Sequence, residues 1–158
     1  MKRLLSILLI GVVTVGVYLG FFNNTHSGFV KPCSTYLIIS HKDTQLNLLI
    51  DFLSSQDNGM GILTVSGTYF ENDKKIGVIR RLVKYDWVLL NSSYRLSTTE
   101  IRKSNRDETL SDEDLELLLP GFFTHIGGKF DLTIATVDNA GYVFSAGVRP
   151  LFFCEVTN

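Results

Sequence analysis

The sequence has little of what catalytic or nucleic-acid-binding proteins usually display. It holds only two cysteines and three histidines in 158 residues. No G-x-S-x-G elbow, H-E-x-x-H helix or phosphate-cradling glycine loop occurs, so the common signatures of hydrolases, zinc proteases and nucleotide enzymes are missing. His26, His41 and His125 are scattered, and none has helical or hairpin spacing to a second ligand. The acidic run Asp112, Glu113, Asp114 and Glu116 lacks the glycine-centred loop of alternating oxygen ligands that calcium takes, and reads as a helix start. An excess of one charge is absent too: the formal net charge is −1. With Lys2 and Arg3 set aside, 13 basic residues face 16 acidic ones, a balance with no electrostatic footprint for DNA or RNA. The expectation is a protein that is not an enzyme, carries no cofactor or metal and does not bind nucleic acid. At 45% hydrophobic and 20% charged residues, it is also no disordered tail.

What is present begins with residues 4–22, LLSILLIGVVTVGVYLGFF, a run of 19 without a charge. As a helix this run would span roughly 28 Å, close to the hydrocarbon thickness of a bilayer. Lys2 and Arg3 place its start in the cytoplasm by the positive-inside rule. A cleaved signal peptide is the rival reading, but it wants a shorter apolar core and small residues at a cleavage site, where Tyr18, Phe21 and Phe22 stand. Retention as an anchor is the favoured reading, and either route delivers the remainder to the same compartment. The expected layout is a cytoplasmic N-terminus (1–3), a transmembrane helix (4–22), a linker (23–32) and a periplasmic β-rich domain (33–158) of a single-pass bacterial inner-membrane protein.

From Cys33 the hydrophobic pattern takes the two-residue period of strands. Strands are expected over 34–41, 46–52, 62–70, 76–90, 94–103, 130–137, 142–148 and 151–156. Turn signals separate them at Lys42-Asp43, Asp57-Asn58-Gly59, Glu71-Asn72-Asp73, Asn91-Ser92-Ser93 and Asp138-Asn139-Ala140-Gly141. Between 104 and 129 the pattern changes. Ser111 followed by Asp112, Glu113 and Asp114 predicts a capped helix start, with Leu115, Leu118 and Leu119 facing the core and Pro120-Gly121 ending it. Seven or so strands in hairpin order with one short helix predict a mainly β (α+β) fold, an antiparallel meander. Such a sheet resolves its edges by curling into a barrel or by pairing with another chain.

Cys33 opens this region and Cys154 nearly closes it. In an oxidising compartment such a pair is most simply a disulfide that ties the first strand to the last; two unpaired buried thiols are the alternative. Phe52, Tyr69, Tyr85, Trp87, Tyr94, Tyr142 and Phe144 lie on the expected strands. Two readings of them stay open: ordinary core, or the lining of a cavity for an apolar or amphipathic small molecule.

Several stretches carry a likeness to a known family. They are Leu110-Ser111-Asp112-Glu113, Leu119-Pro120-Gly121-Phe122-Phe123, Phe130-Asp131-Leu132-Thr133-Ile134, Asn139-Ala140-Gly141-Tyr142-Val143-Phe144-Ser145 and Pro150-Leu151-Phe152-Phe153-Cys154. With the N-terminal apolar run and the early Cys33, they resemble the FidL-like family of enterobacterial inner-membrane proteins. The resemblance implies a partner role beside a membrane-spanning regulator of the ToxR type, which has a cytoplasmic winged helix-turn-helix and a periplasmic sensory domain. It further implies a heterodimer with a shared lipocalin-like barrel, which in some related pairs receives a bile-salt-like ligand. A stand-alone periplasmic ligand-binding protein, and an envelope-assembly or inhibitor protein acting through a strand edge, are the alternatives.

Overall fold

Leu46, Leu48, Ile50 and Phe52 fall on one face of a single strand and are each at most 3% exposed, while the intervening Asn47, Leu49 and Asp51 face outward. The same alternation recurs along the chain and sets the architecture, because a strand with one apolar face must bury it against others of its kind. A computed structural model describes residues 31–55, 59–104, 106–138 and 140–157. The expected transmembrane helix over 4–22, most of the linker and His26 lie outside the described residues. Among the described residues no helix is long and apolar enough to cross a membrane.

Eight strands form: β1 (Cys33–His41), β2 (Thr44–Ser55), β3 (Met60–Glu71), β4 (Lys74–Leu90), β5 (Ser93–Lys103), β6 (Lys129–Val137), β7 (Gly141–Ala146) and β8 (Arg149–Val156). They pair antiparallel in sequence order and close into a barrel. Two-residue turns join several of them. Lys42, Asn72, Asp73, Asn91 and Ser92 all take positive φ, the conformation that lets a tight hairpin follow the right-handed twist of its strands. Seven strands run past an expected bound by one to three residues, whereas one is cut short. The strand over 142–148 ends at Ala146, because Gly147 (φ +60) turns the chain and leaves Val148 98% exposed. Valine's strand propensity lost to the glycine before it.

Between β5 and β6 the chain makes a long crossover. It holds a short helix α1 (Asp112–Glu116) and a 3-10 turn (Gly121–Phe123). The Ser111 hydroxyl accepts the Asp114 amide at 3.1 Å, capping α1 as its sequence predicts. Leu115 and Leu119 are buried, Leu118 is half-buried against the core, and Leu110, Phe122 and Phe123 complete a plug over one mouth of the barrel.

Strict antiparallel order gives the barrel two chemically distinct ends. The terminal end carries the start of β1, the end of β8 and the β2–β3, β4–β5 and β6–β7 connections. The crossover end carries the plug and the other three hairpins. Rings fill the interior between them. Phe52 stacks on Phe144 at 5.0 Å and Phe144 on Phe152 at 4.8 Å, while Phe122 meets Tyr85 at 5.7 Å and Phe130 at 5.9 Å.

Candidate functional site: an open seam between the first and last strands

Closure of the barrel is uneven. β1 pairs with β2 along nine positions, from Cys33↔Phe52 to His41↔Thr44. On its other side it meets β8 only through Cys33↔Val156 and Ser34↔Glu155. Beyond these pairs, residues 35–41 of β1 and 149–154 of β8 have no ladder to each other, so each is a strand edge with outward-pointing backbone N–H and C=O groups. The joined tip of the seam is covalent: Cys33 and Cys154 form a disulfide with Cα atoms 5.4 Å apart. Beside it the Thr157 amide donates to the Pro32 carbonyl at 3.0 Å.

The two lips differ. On β8, Arg149 adds charge and Pro150 removes an amide hydrogen, both of which blunt an edge against strand addition. β1 has neither device, and CSTYLIIS contains no charged residue. Between Ser34 and Ser40 its outward side chains are large and exposed, Tyr36 at 62% and Ile38 at 60%. Leu49, the cross-strand neighbour of Tyr36, is 40% exposed, and Leu151 and Phe153 across the seam are each 43% exposed. A cluster of large apolar groups beside an unpaired edge makes this the candidate contact surface of the domain.

From Tyr36 and Leu49 the outer wall dips into a concavity of about 1060 Å³ that crosses β2 to β5. Its polar groups are held in place. Asp51 accepts the Ser34 hydroxyl at 2.6 Å and the Thr64 hydroxyl at 3.2 Å, and Arg80 meets Asp107 at 3.3 Å. At its margin Glu100 lies between Lys84, at 2.7 Å, and Arg102. Hydrogen bonds from Lys84 and then Arg102 hold its carboxyl below the usual carboxylate range.

At the crossover end Arg81 points into the barrel and its side chain has no exposed surface. It donates to both carboxylate oxygens of Glu108, to Asp112 at 3.0 Å and to the Phe123 carbonyl at 3.0 Å. Lys103 reaches the other Asp112 oxygen at 2.6 Å. Burial raises the Asp112 carboxyl, but the hydrogen bonds from Lys103 and Arg81 outweigh it and leave the group below its ordinary value. Such a buried guanidinium is tolerable only when its donors are matched, and here the matching groups all belong to the crossover, so the ion cluster latches the plug to the wall.

The seven aromatic residues singled out from the sequence divide by depth. Phe52, Tyr69, Tyr85 and Phe144 are buried; Trp87, Tyr94 and Tyr142 are half-buried against the core. Trp87 packs edge-on to Tyr94 at 5.6 Å. None of the seven lines the concavity, which lies on the opposite face of the sheet. His41 and His125 are exposed; His125 Nδ1 lies 3.3 Å from Glu116. Among the described residues no group of three or more metal-ligating side chains assembles. The seam residues Tyr36, Ile38, Leu151 and Phe153, and the latch Arg81, were not singled out by sequence. Parity could have found Arg81, which shares the inward face with Ile79, Val83 and Tyr85.

Together these features define a small all-antiparallel barrel domain, covalently clasped where its first and last strands meet. The chain belongs to the YqeJ C-terminal domain family, whose profile matches residues 30–154. It is also 24% identical over 124 residues to the "Uncharacterized protein YqeJ" of Escherichia coli (strain K12), covering 78% of each chain. Neither description speaks of an activity, a ligand or a partner.

Proposed function

We propose that the chain is a membrane-anchored periplasmic accessory protein that pairs with and stabilises the sensory domain of a ToxR-like transcription regulator. The observation that carries this reading is the open seam, where an uncharged first strand leaves residues 35–41 without a partner on the β8 side, beside exposed Tyr36 and Ile38. A strand of the partner adds to that edge through backbone hydrogen bonds, and alternate side chains meet the apolar lip. The disulfide supports the compartment, since such bonds persist in oxidising surroundings. The interior aromatics pack on one another, which favours recognition by the outer wall over a ligand held inside a shared barrel. A bile-salt-like amphiphile then binds the pair at the seam and its adjoining concavity, and biases it only by favouring one arrangement. No catalytic role is assigned.

Co-expression of the full chain with a ToxR-like regulator tests this. The regulator's periplasmic domain should resist limited proteolysis with the wild-type chain and lose that protection with the Tyr36→Lys, Ile38→Lys variant. Equal protection with no chain present would sink the reading. The same edge also suits an envelope-assembly or inhibitor protein. Affinity purification from native membranes that recovers secretion or cell-wall components, and no regulator, would favour that alternative.

A further inference from the structure

The hairpins at the two ends of the barrel differ in charge, although the crossover end also exposes Leu117, Ile126 and Val148. At the crossover end the hairpins bear Lys42, Asp43, Glu71, Asp73, Lys74 and Lys75, all exposed. At the terminal end the β4–β5 hairpin reads WVLLNSSY over 87–94 and has no charge. Val88 is 51%, Leu89 56% and Leu90 45% exposed. Alternation along a strand puts Leu89 on the opposite face from Val88 and Leu90. All three are nonetheless exposed, so this ribbon projects beyond the rim with large aliphatic groups on both faces, Arg95 and its partner Asp131 lying beside Val88 further from the turn. Met60, at the start of the neighbouring β3, is 48% exposed and extends the patch. Aliphatic groups gathered next to one turn, with basic and acidic groups set back from it, suit a hairpin bedded in the headgroup region.

From these observations we infer that the terminal end of the barrel rests on the lipid surface, with the β4–β5 hairpin lying along the headgroup region so that Val88, Leu89 and Leu90 bed into the interface beside the Asn91-Ser92 turn. The inference rests on the reading of residues 4–22 as a membrane anchor. The chain enters β1 at this same end, and the ten residues 23–32 reach at most about 36 Å. That tether keeps the uncharged tip near lipid at high effective concentration, so a modest affinity suffices. The charged crossover end then points away from the membrane, and the seam runs up the side of the barrel, open to a partner anchored in the same bilayer.

The test uses the full chain in vesicles of phosphatidylethanolamine and phosphatidylglycerol. An environment-sensitive fluorophore is placed through Leu89→Cys at the tip or Lys74→Cys at the far end, the native pair remaining as its disulfide. Nitroxide-bearing lipids should quench the tip label about twofold more than the far label, with emission at shorter wavelength. Val88→Cys, on the other face of the ribbon, should behave like Leu89→Cys and guards against a local folding fault. If the chain floats with the vesicles after carbonate extraction but tip and far labels respond alike, the anchor stands and the lipid-seated tip is overturned. Shielding of the tip that appears only with a co-purified protein overturns it as well. If the chain does not float, the anchor reading fails first and the inference falls with it.

Discussion

The β3–β4 wall and the β8–β1 seam belong to one barrel but are held by different forces. β3 and β4 share twelve paired positions and put Leu63, Val65, Ile79 and Val83 on a common buried face. β8 and β1 share two pairs and a disulfide. In the wall, ladder and side-chain burial reinforce each other over a long register. At the seam a covalent clasp does what the ladder does elsewhere, which frees most of two strand edges without letting the cylinder unroll. The result is a barrel that stays closed while two strand edges remain free, the feature on which the proposed partner role rests.

Breaking the clasp is the sharpest way to exaggerate this contrast. Cys33→Ser with Cys154→Ser releases a closure across 121 residues, worth about 4–5 kcal/mol on the chain-entropy view. Chemical denaturation should show that loss. Native-state hydrogen exchange should show that β1 and β8 open before β3 and β4. Uniform acceleration through all eight strands would contradict the division of labour described above.

The next largest effect lies at the crossover end. Arg81→Ala leaves Glu108 buried without its guanidinium, and loss of about 3–5 kcal/mol is expected. Arg81→Lys should recover only part of this, because an ammonium cannot serve Glu108, Asp112 and the Phe123 carbonyl with the same planar fork. Proteolytic sensitivity should concentrate in residues 104–128 and spare the seam. A seam-first cleavage pattern would show that the latch does not act locally.

A smaller effect is expected where β5 runs out of strand partner. β6 pairs with it only from Tyr94↔Leu132 to Ser97↔Lys129. Below that point the crossover substitutes: the Thr98 hydroxyl donates to the Phe122 carbonyl at 2.6 Å, and the Thr98 backbone exchanges bonds with Gly127 and Gly128. Thr98→Val keeps the shape and strands a buried carbonyl, so about 1–3 kcal/mol should be lost by thermal or denaturant unfolding.

Acid probes the latch with a definite sign. A carboxyl held below its ordinary value contributes stability that is full above the unfolded value, near pH 3.9, and is lost as pH falls through the folded value. Asp112 is such a group, and Asp131 behaves likewise through its hydrogen bond from Arg95. Asp131 is exposed and solvent-screened, so its share is slight. Asp112→Asn should therefore start less stable at neutral pH and decline less steeply below about pH 4. Parallel acid curves for variant and wild type would remove Asp112 from the latch.

The strand succession was legible in the sequence because burial imposes a two-residue period that composition cannot hide. Leu46, Leu48, Ile50 and Phe52 read as one face, and so they are. Ser111 announced the helix through its capping chemistry. The pairing of Cys33 with Cys154 followed from their positions at either end of the strands. Less legible was everything decided by closure. Tyr36 and Ile38 look like ordinary strand residues until the count of β8–β1 pairs shows that their edge is bare. Val148 carried a strand's propensity into a turn set by Gly147. Arg81 sits beside Arg80 on a strand with Lys84 and Asp86 close by, and only its sharing a face with Ile79 and Val83 separates it from exposed Arg80.

The smallest effect on stability should be the most telling about function. Tyr36→Lys with Ile38→Lys places charges at outward, exposed positions of β1, away from both the core and the clasp. Surface changes of this kind usually shift stability by less than about 0.5 kcal/mol. A lysine on an edge strand discourages the addition of another strand. The pair should therefore leave the unfolding midpoint almost unmoved while abolishing recovery of a membrane partner in affinity purification. Control substitutions on the closed wall, such as Thr68→Lys on β3, should leave recovery intact. If the wall variant and the lip variant lost the partner equally, recognition would belong to the concavity as a whole and not to the unpaired edge.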